Sequence, residues 1–271
     1  MQNGVHFISG LPRSGSSLLA GLLRQNPKFH ADVTSPVGRL ILAALKEMSA
    51  GHEGSSVFDD DRRTIVLRAL FEAFYHDIHR EKLIFDTNRI WCAKAPTLRA
   101  LYPRSKIVCC VRDMPWIYDS IERLVQQNAL TPSGLFGFEP SGTVYDRFER
   151  LIRSDGLVGA AWSGLRQAFY GLDADRLLLV TYESLTGDPQ SAMKAIYDFL
   201  ELPAYPHDFD NVSISAETVD EWLGTPNLHR VRPKVEAIAR RTVLPPDLFR
   251  RAAIGSFWRD PQANSVAVQI V

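Results

Sequence analysis

The sequence predicts an α/β fold: a three-layer α/β/α domain around a central parallel sheet. Three observations carry that expectation. Four short runs, GVHFISG (4–10), KLIFD (82–86), KIVCCVR (106–112) and RLLLVTY (176–182), are continuously apolar rather than alternating, as strands buried on both faces are. Longer segments with apolar residues at helical spacing lie between them, so strands and helices take turns along the chain. The 271 residues, 45% of them hydrophobic, supply enough apolar surface for one large core, and a single domain over 1–271 is expected.

Each element follows in order. Ser16 to Gln25 continues the first run as a helix, and Val37 to Met48 and Arg62 to His79 carry apolar faces. Pro115 to Gln127 follows the third run with proline in its first turn, where the missing N–H costs nothing. The stretch 143–171 is helical with an interruption at Gly156, and 188–200 opens after Asp-Pro. Residues 203–235, rich in Pro, His, Asp and Asn, read as loop, and 244–258 as a short amphipathic helix docked on the core. Right-handed crossovers would place ligands beyond the carboxyl ends of the strands.

Lys plus Arg and Asp plus Glu both number 31, so formal net charge is zero and general nucleic-acid coating is excluded as a role. Any anion site must be local. The three cysteines, Cys92, Cys109 and Cys110, have no paired spacing and read as reduced thiols in a core. The opening MQNGVHFISG has no leader pattern and no run approaches the ~20 apolar residues of a membrane span, so a cytoplasmic protein is expected. His76 and His79 share a helix face without a third ligand nearby, and no metal is expected.

FISGLPRSGSS (7–17) has the strand–loop–helix order of a phosphate cradle, with Gly10 and Gly15 spaced as in G-x-x-x-x-G-K-[ST]. Ser16 occupies the place of the lysine. Backbone amides at the helix start and the helix dipole attract an anion, Gly15 lets it come close, and Ser16 and Ser17 can cap the helix and donate hydroxyls. Without the lysine that neutralises β- and γ-phosphates, the nearest cation is Arg13, on the loop. The fold expected is P-loop nucleotide-kinase-like, with a cradle suited to a donor other than ATP-Mg²⁺.

PRSGSS after a strand resembles the 5′-phosphosulfate loop of the sulfotransferases that use 3′-phosphoadenosine-5′-phosphosulfate (PAPS). KIVCCVRDMPWIYDSI (106–121) resembles that family's 3′-phosphate element, an apolar strand ending in arginine with a serine eight residues on, here Arg112 and Ser120. A guanidinium at a strand end and a hydroxyl on the next helix can converge on one phosphate. RLLLVTYESLTGDP is similar to the family's strand-Tyr-Glu-x-Leu segment, which implies Tyr182 near the adenine. LHRVRPKV (228–235) corresponds to the basic loop over the 3′-phosphate, with His229, Arg230 and Arg232 as candidate ligands, although it lacks the glycine-rich form of the eukaryotic cytosolic enzymes.

The resemblance implies transfer of a sulfuryl group from PAPS, as co-substrate, to a hydroxyl or amine, with release of 3′,5′-ADP. It implies donor contacts from Arg13, Ser14, Gly15, Ser16 and Ser17, and an acceptor partner that is a small molecule, carbohydrate, lipid or peptide. Family bases, a histidine after the second strand or an early glutamate, do not transfer, because TSPVGR (34–39) has no carboxylate. In FDTNRIWCAKAP (85–96), Asp86 is expected as the base and Arg89 as its electrostatic helper. A rival alignment of AKAP to the family's Lys-x-Pro promotes Lys94, and His30 and Asp32 are secondary candidates. A P-loop small-molecule kinase using ATP-Mg, with Asp86 ending a Walker-B-like strand, is the alternative, and a non-catalytic nucleotide-binding protein is a third. The acceptor and the oligomeric state stay open.

Overall fold

A computed structural model describes residues 4–140 and 142–271; residues 1–3, at the start of the opening MQNGVHFISG, lie outside them. Six strands form one sheet among the described residues: β1 (Val5–Gly10), β2 (Phe29–Ala31), β3 (Leu83–Thr87), β4 (Ile107–Val111), β5 (Leu177–Thr181) and β6 (Gln269–Ile270). Every pairing is parallel, in the order β2-β3-β1-β4-β5-β6. The central strand β1 thus has β3 on one side and β4 on the other, so its carboxyl end, with the phosphate-loop sequence, lies mid-sheet.

The runs lack polar alternation because both faces are covered. Along β4, Ile107, Cys109 and Val111 belong to one apolar core, and Val108 and Cys110 to another. The first core holds Phe7, Phe71, Trp91, Ile117 and Phe169, and the second holds Ile8, Leu19, Phe85, Met193 and Tyr197. Two helical layers around one sheet follow from that division. The three cysteines are buried free thiols in these cores.

Helices α1 (Ser16–Leu23), α2 (Val37–Glu47), α3 (Asp60–Phe74), α4 (Ala95–Leu101) and α5 (Met114–Gln127) come first. Asp59 caps α3 by accepting from Arg62 N at 2.8 Å, which moves its start two residues ahead of the expected Arg62. The expected break at Gly156 separates α6 (Val144–Ile152) from α7 (Leu157–Phe169); a Cβ there would stand 2.2 Å from the Arg150 carbonyl oxygen. Then come α8 (Tyr182–Gly187), α9 (Pro189–Leu200), α10 (Glu217–Trp222) and α11 (Pro246–Ala253).

Three short elements differ from the sequence expectation. β2 has three residues and β6 two, too few to show a strand pattern, and α10 lies inside the segment read as loop. No described helix is long and apolar enough to cross a membrane.

Candidate active site

A cavity of about 520 Å³ opens beyond the carboxyl ends of the central strands. Its floor is the turn from β1 into α1. Gly10 has φ +111° and passes so close to β4 that a Cβ would meet the Cys110 carbonyl oxygen at 2.1 Å, so no other residue fits. The buried Ser14 hydroxyl engages the Cys110 carbonyl at 2.7 Å and the Leu11 carbonyl, fastening the loop to the sheet. That hydroxyl therefore does not line the cavity, contrary to its expected place among the donor contacts.

Gly15, at φ +100°, is the residue that caps α1, not a serine. It contributes no side-chain cap, and the first backbone bond into the helix runs from Leu19 N to the Gly15 carbonyl at 2.9 Å. The amides of the first turn are left facing a cavity lined by Gly15, Ser16 and Ser17, the arrangement that attracts anions.

The separate motifs meet at Arg13. Its Nε donates to Ser120 Oγ on α5 at 3.0 Å, and its carbonyl accepts from Arg112 Nη1 at 3.3 Å. The Arg112 guanidinium stacks over Tyr182 at 4.1 Å from the ring centroid, and the same ring would sit 3.2 Å from a Cβ on Gly15. Arg13, Gly15, Arg112, Ser120 and Tyr182 are thus brought together. Arg112 Nε is buried with no hydrogen-bond partner. Burial and the Arg112 charge lower the Arg13 pKa to about 10. Two cations held this close, one with an idle donor, form a site made for an anion.

The basic segment expected to close the site does line the cavity through His229, Arg230 and Arg232, joined by Arg240, which the sequence did not single out. This strap is tied down at two places. Val212 N donates to the Pro233 carbonyl at 2.8 Å and Val235 N to the Phe209 carbonyl at 2.7 Å. Beyond them Asp119, fully buried on α5 beside Ser120, accepts from Val243 N at 2.8 Å and Arg123 Nε at 3.0 Å and pairs with Arg240 at 2.6 Å.

His229 also has a role that charge alone does not reveal. Its Nδ1 lies 2.6 Å from Asp220 Oδ1, and its backbone N–H donates to Asp220 Oδ2 at 3.1 Å. A carboxylate on Nδ1 fixes the tautomer and leaves Nε2 as the proton acceptor. Burial, chiefly, with help from the Arg89 and Arg13 charges, holds the imidazole pKa below its ordinary value, against the opposing pull of Asp220. His229 is therefore neutral near pH 7 and able to take a proton.

Two expected catalytic groups are elsewhere. Asp86 is 0% exposed, and its oxygens accept from Ser35 Oγ and Tyr75 Oη, each at 2.7 Å, and from Trp91 Nε1 at 2.8 Å. It pairs in register with Phe7 inside the sheet and points away from the cavity, a consequence of strand alternation that the motif count missed. Burial raises its pKa. Lys94 closes the 3₁₀ turn Arg89–Lys94 at the start of α4, rather than standing inside a helix, and does not reach the cavity. Arg89, in contrast, lines it: Ser9 Oγ donates to the Arg89 carbonyl at 3.2 Å and accepts from Cys92 N at 3.3 Å, pinning that turn on β1. His30 packs edge-on to Tyr75 and Asp32 accepts from Val33 N; neither lines the cavity. His76 pairs with Asp77 on the surface at 2.8 Å.

Known proteins share this architecture. A sulfotransferase from Alicyclobacillus acidocaldarius matches with a TM-score of 0.55 and 15% identity, over 98% of this chain and 95% of that one. The sulfotransferase domain from the curacin biosynthetic pathway matches at TM-score 0.50 and 18% identity, covering 75% of each chain. Sulfotransferase STF9 from Mycobacterium avium matches at 0.50 and 14% identity, over 94% of this chain and 76% of that. At such identities the likeness is one of fold. The sequence itself matches the model of the Sulfotransferase family over residues 6–207, from β1 past α9, and the chain belongs to that family.

Proposed function

We propose that this chain transfers a sulfuryl group from PAPS to the hydroxyl of an acceptor and releases 3′,5′-ADP. One observation carries the reading: the Arg13–Ser120 bond joins the 5′ loop to the Arg112 pair, whose Nε donor is buried and idle. A donor with phosphates at both its 5′ and 3′ positions matches two adjoining anion subsites. Arg13, Ser16, Ser17 and the first-turn amides would hold the 5′ side, with Arg112, Ser120, Arg230 and Arg232 on the 3′-phosphate and Tyr182 by the adenine. PAPS supplies the sulfuryl group and a stable leaving group. The chain's own part is alignment and charge, as in phosphoryl transfer.

His229 is the group placed to act as base. It takes the acceptor's proton on Nε2 as the acceptor oxygen bonds to sulfur, and Asp220 steadies the imidazolium that forms. Histidine thus serves this chain from the strap, not from the turn after β3. The kinase alternative is disfavoured because Asp86, its Walker-B counterpart, is enclosed by three donors and unavailable to Mg²⁺.

Thermal unfolding tests the reading. At about a hundredfold over Kd, 3′,5′-ADP should add roughly 2.7 kcal/mol, an increase of about 5 °C in Tm for a chain of this length. A response to ATP with Mg²⁺ and none to 3′,5′-ADP would overturn it.

A further inference from the structure

The cavity carries one cation more than its donor reading uses. Arg123 and Arg240 are occupied by Asp119, and Lys234 reaches Asp210 at 3.8 Å. Arg13 and Arg112 serve the cradle, and Arg230 and Arg232 lie on the strap. Arg89 remains. Its guanidinium has no hydrogen bond or ion pair among the described residues, although it lines the cavity. Although its surface is open, crowding by the surrounding protein, and after it the charge of Arg39, lower its pKa.

The Arg39 guanidinium, which does not itself line the cavity, is brought beside Arg89 by packing. The first turn of α2 lies against residues 88–90: a Cβ on Gly38 would stand 2.8 Å from both Asn88 Nδ2 and Ile90 Cδ1, and Asn88 Nδ2 donates to the Ser35 carbonyl at 3.2 Å. Arg39 follows directly and is exposed, without an ion pair; its guanidinium lies 6.0 Å from the ring centroid of Trp222 on α10, itself 67% exposed. Two residues before Trp222 stands Asp220, which holds His229. Arg89 therefore shares the cavity with His229 and has Arg39 beside it, neither guanidinium in an ion pair among the described residues. Like charges so placed repel until an anion arrives.

We propose that Arg89 and Arg39 form an acceptor subsite for a carboxylate, so that the acceptor is a hydroxy acid whose hydroxyl meets His229 while its carboxylate bridges the two guanidiniums. The inference rests on the sulfotransferase reading of the same cavity. It deepens that reading by naming the acceptor class: an acid rather than a neutral alcohol or sugar. The planar fork of each guanidinium suits a carboxylate, and both sit beyond the residues assigned to the donor.

The test uses matched probes on the whole chain: 3-hydroxydecanoate and 4-hydroxybenzoate, each against its methyl ester. Binding to the 3′,5′-ADP complex and 3′,5′-ADP release from PAPS are both read. The acids should exceed their esters roughly 10–100-fold, as charge-assisted bonds allow. Arg89→Met and, independently, the surface variant Arg39→Met should each shrink that preference, with the 3′,5′-ADP Kd unchanged. Equal handling of acid and ester, in binding and in turnover, overturns the subsite alone. So does a fall in 3′,5′-ADP affinity in Arg89→Met, which would place that residue with the donor. Failure of the wild-type chain to bind 3′,5′-ADP would instead overturn the sulfotransferase reading, and the subsite with it.

Discussion

Asp119 ties the strap to the donor site, and removing it should open the one and empty the other. Its carboxylate is 0% exposed and accepts from Val243 N and Arg123 Nε while pairing with Arg240. Arg123 lies on α5 itself, so of the two ion pairs only that to Arg240 joins the strap; the Arg240 side chain is 30% exposed, so the pair is partly screened and contributes about 0.5–1 kcal/mol. The partly buried bond from Val243 N–H to a charged acceptor adds about 1.5–3 kcal/mol. Asp119→Ala thus removes about 3 kcal/mol from strap closure, equivalent to roughly 100-fold in an equilibrium constant. Because Arg230, Arg232 and Arg240 ride on that strap, 3′,5′-ADP affinity should fall by up to about 100-fold, and Asp119→Asn, which keeps an acceptor for Val243, should lose less. Calorimetry gives the Kd. Trypsin gives the strap, since Arg230, Arg240 and Arg241 become cleavable on opening, whereas Arg232 precedes Pro233 and does not, and excess 3′,5′-ADP should restore protection. A drop in Tm with trypsin protection and Kd both within about threefold of wild type would refute the reasoning, and leave Asp119 as a packing residue of α5.

Two further outcomes are expected. With His229 as base, kcat/KM for the acceptor should fall as pH drops through an imidazole pKa below the usual 6.5 and stay level through neutrality; His229→Gln should cost roughly 10²–10⁴ in kcat, whereas a collapse of 3′,5′-ADP binding with kcat retained would return His229 to the 3′-phosphate. His6, whose Nδ1 accepts from Lys106 N at 3.1 Å, has its pKa lowered to about 4 by burial first and then by the Lys106 and Arg176 charges. Protonation therefore favours the unfolded chain: the full contribution is present above pH 6.5 and declines toward pH 4, by roughly 3 kcal/mol. Urea midpoints between pH 7 and 4.5 measure that slope, and an unaltered slope in His6→Asn would refute the assignment.

The four long apolar runs announced the sheet because strands covered on both faces have no other pattern, and the phosphate loop was visible because its glycines answer backbone demands. Gly10 has a carbonyl where its Cβ would be, and Gly15 a positive φ. Arg112 and Ser120 were legible for a related reason: one crossover carries both. Asp86 failed because motif spacing gives the strand end and not the face, and its register neighbour Phe7 lies inside the core. The Asp220–His229 pair and the Asp119 tie were not legible, since each joins segments whose approach depends on an irregular loop. The sequence signal there was only a string of charges, of which Arg230 and Arg232 were recognised, whereas Arg240 and the carboxylates Asp119 and Asp220 were not.

The outermost strand has a consequence for how the chain is made. β5 carries the run LLLV, and its outer edge is completed only by Gln269–Ile270, with Thr181 N donating to the Val271 carbonyl at 2.8 Å. On a ribosome, β1, β3, β4 and β5 can be assembled long before residues 269–271 emerge, and through that interval a row of unpaired amides and carbonyls beside apolar side chains stays open to other nascent chains. Yield of folded protein should therefore be sensitive to chaperone supply and to synthesis rate over α10 and α11, regions that contribute little to the sheet itself. An expression host that translates slowly there would lengthen the exposure of an edge that the finished molecule conceals.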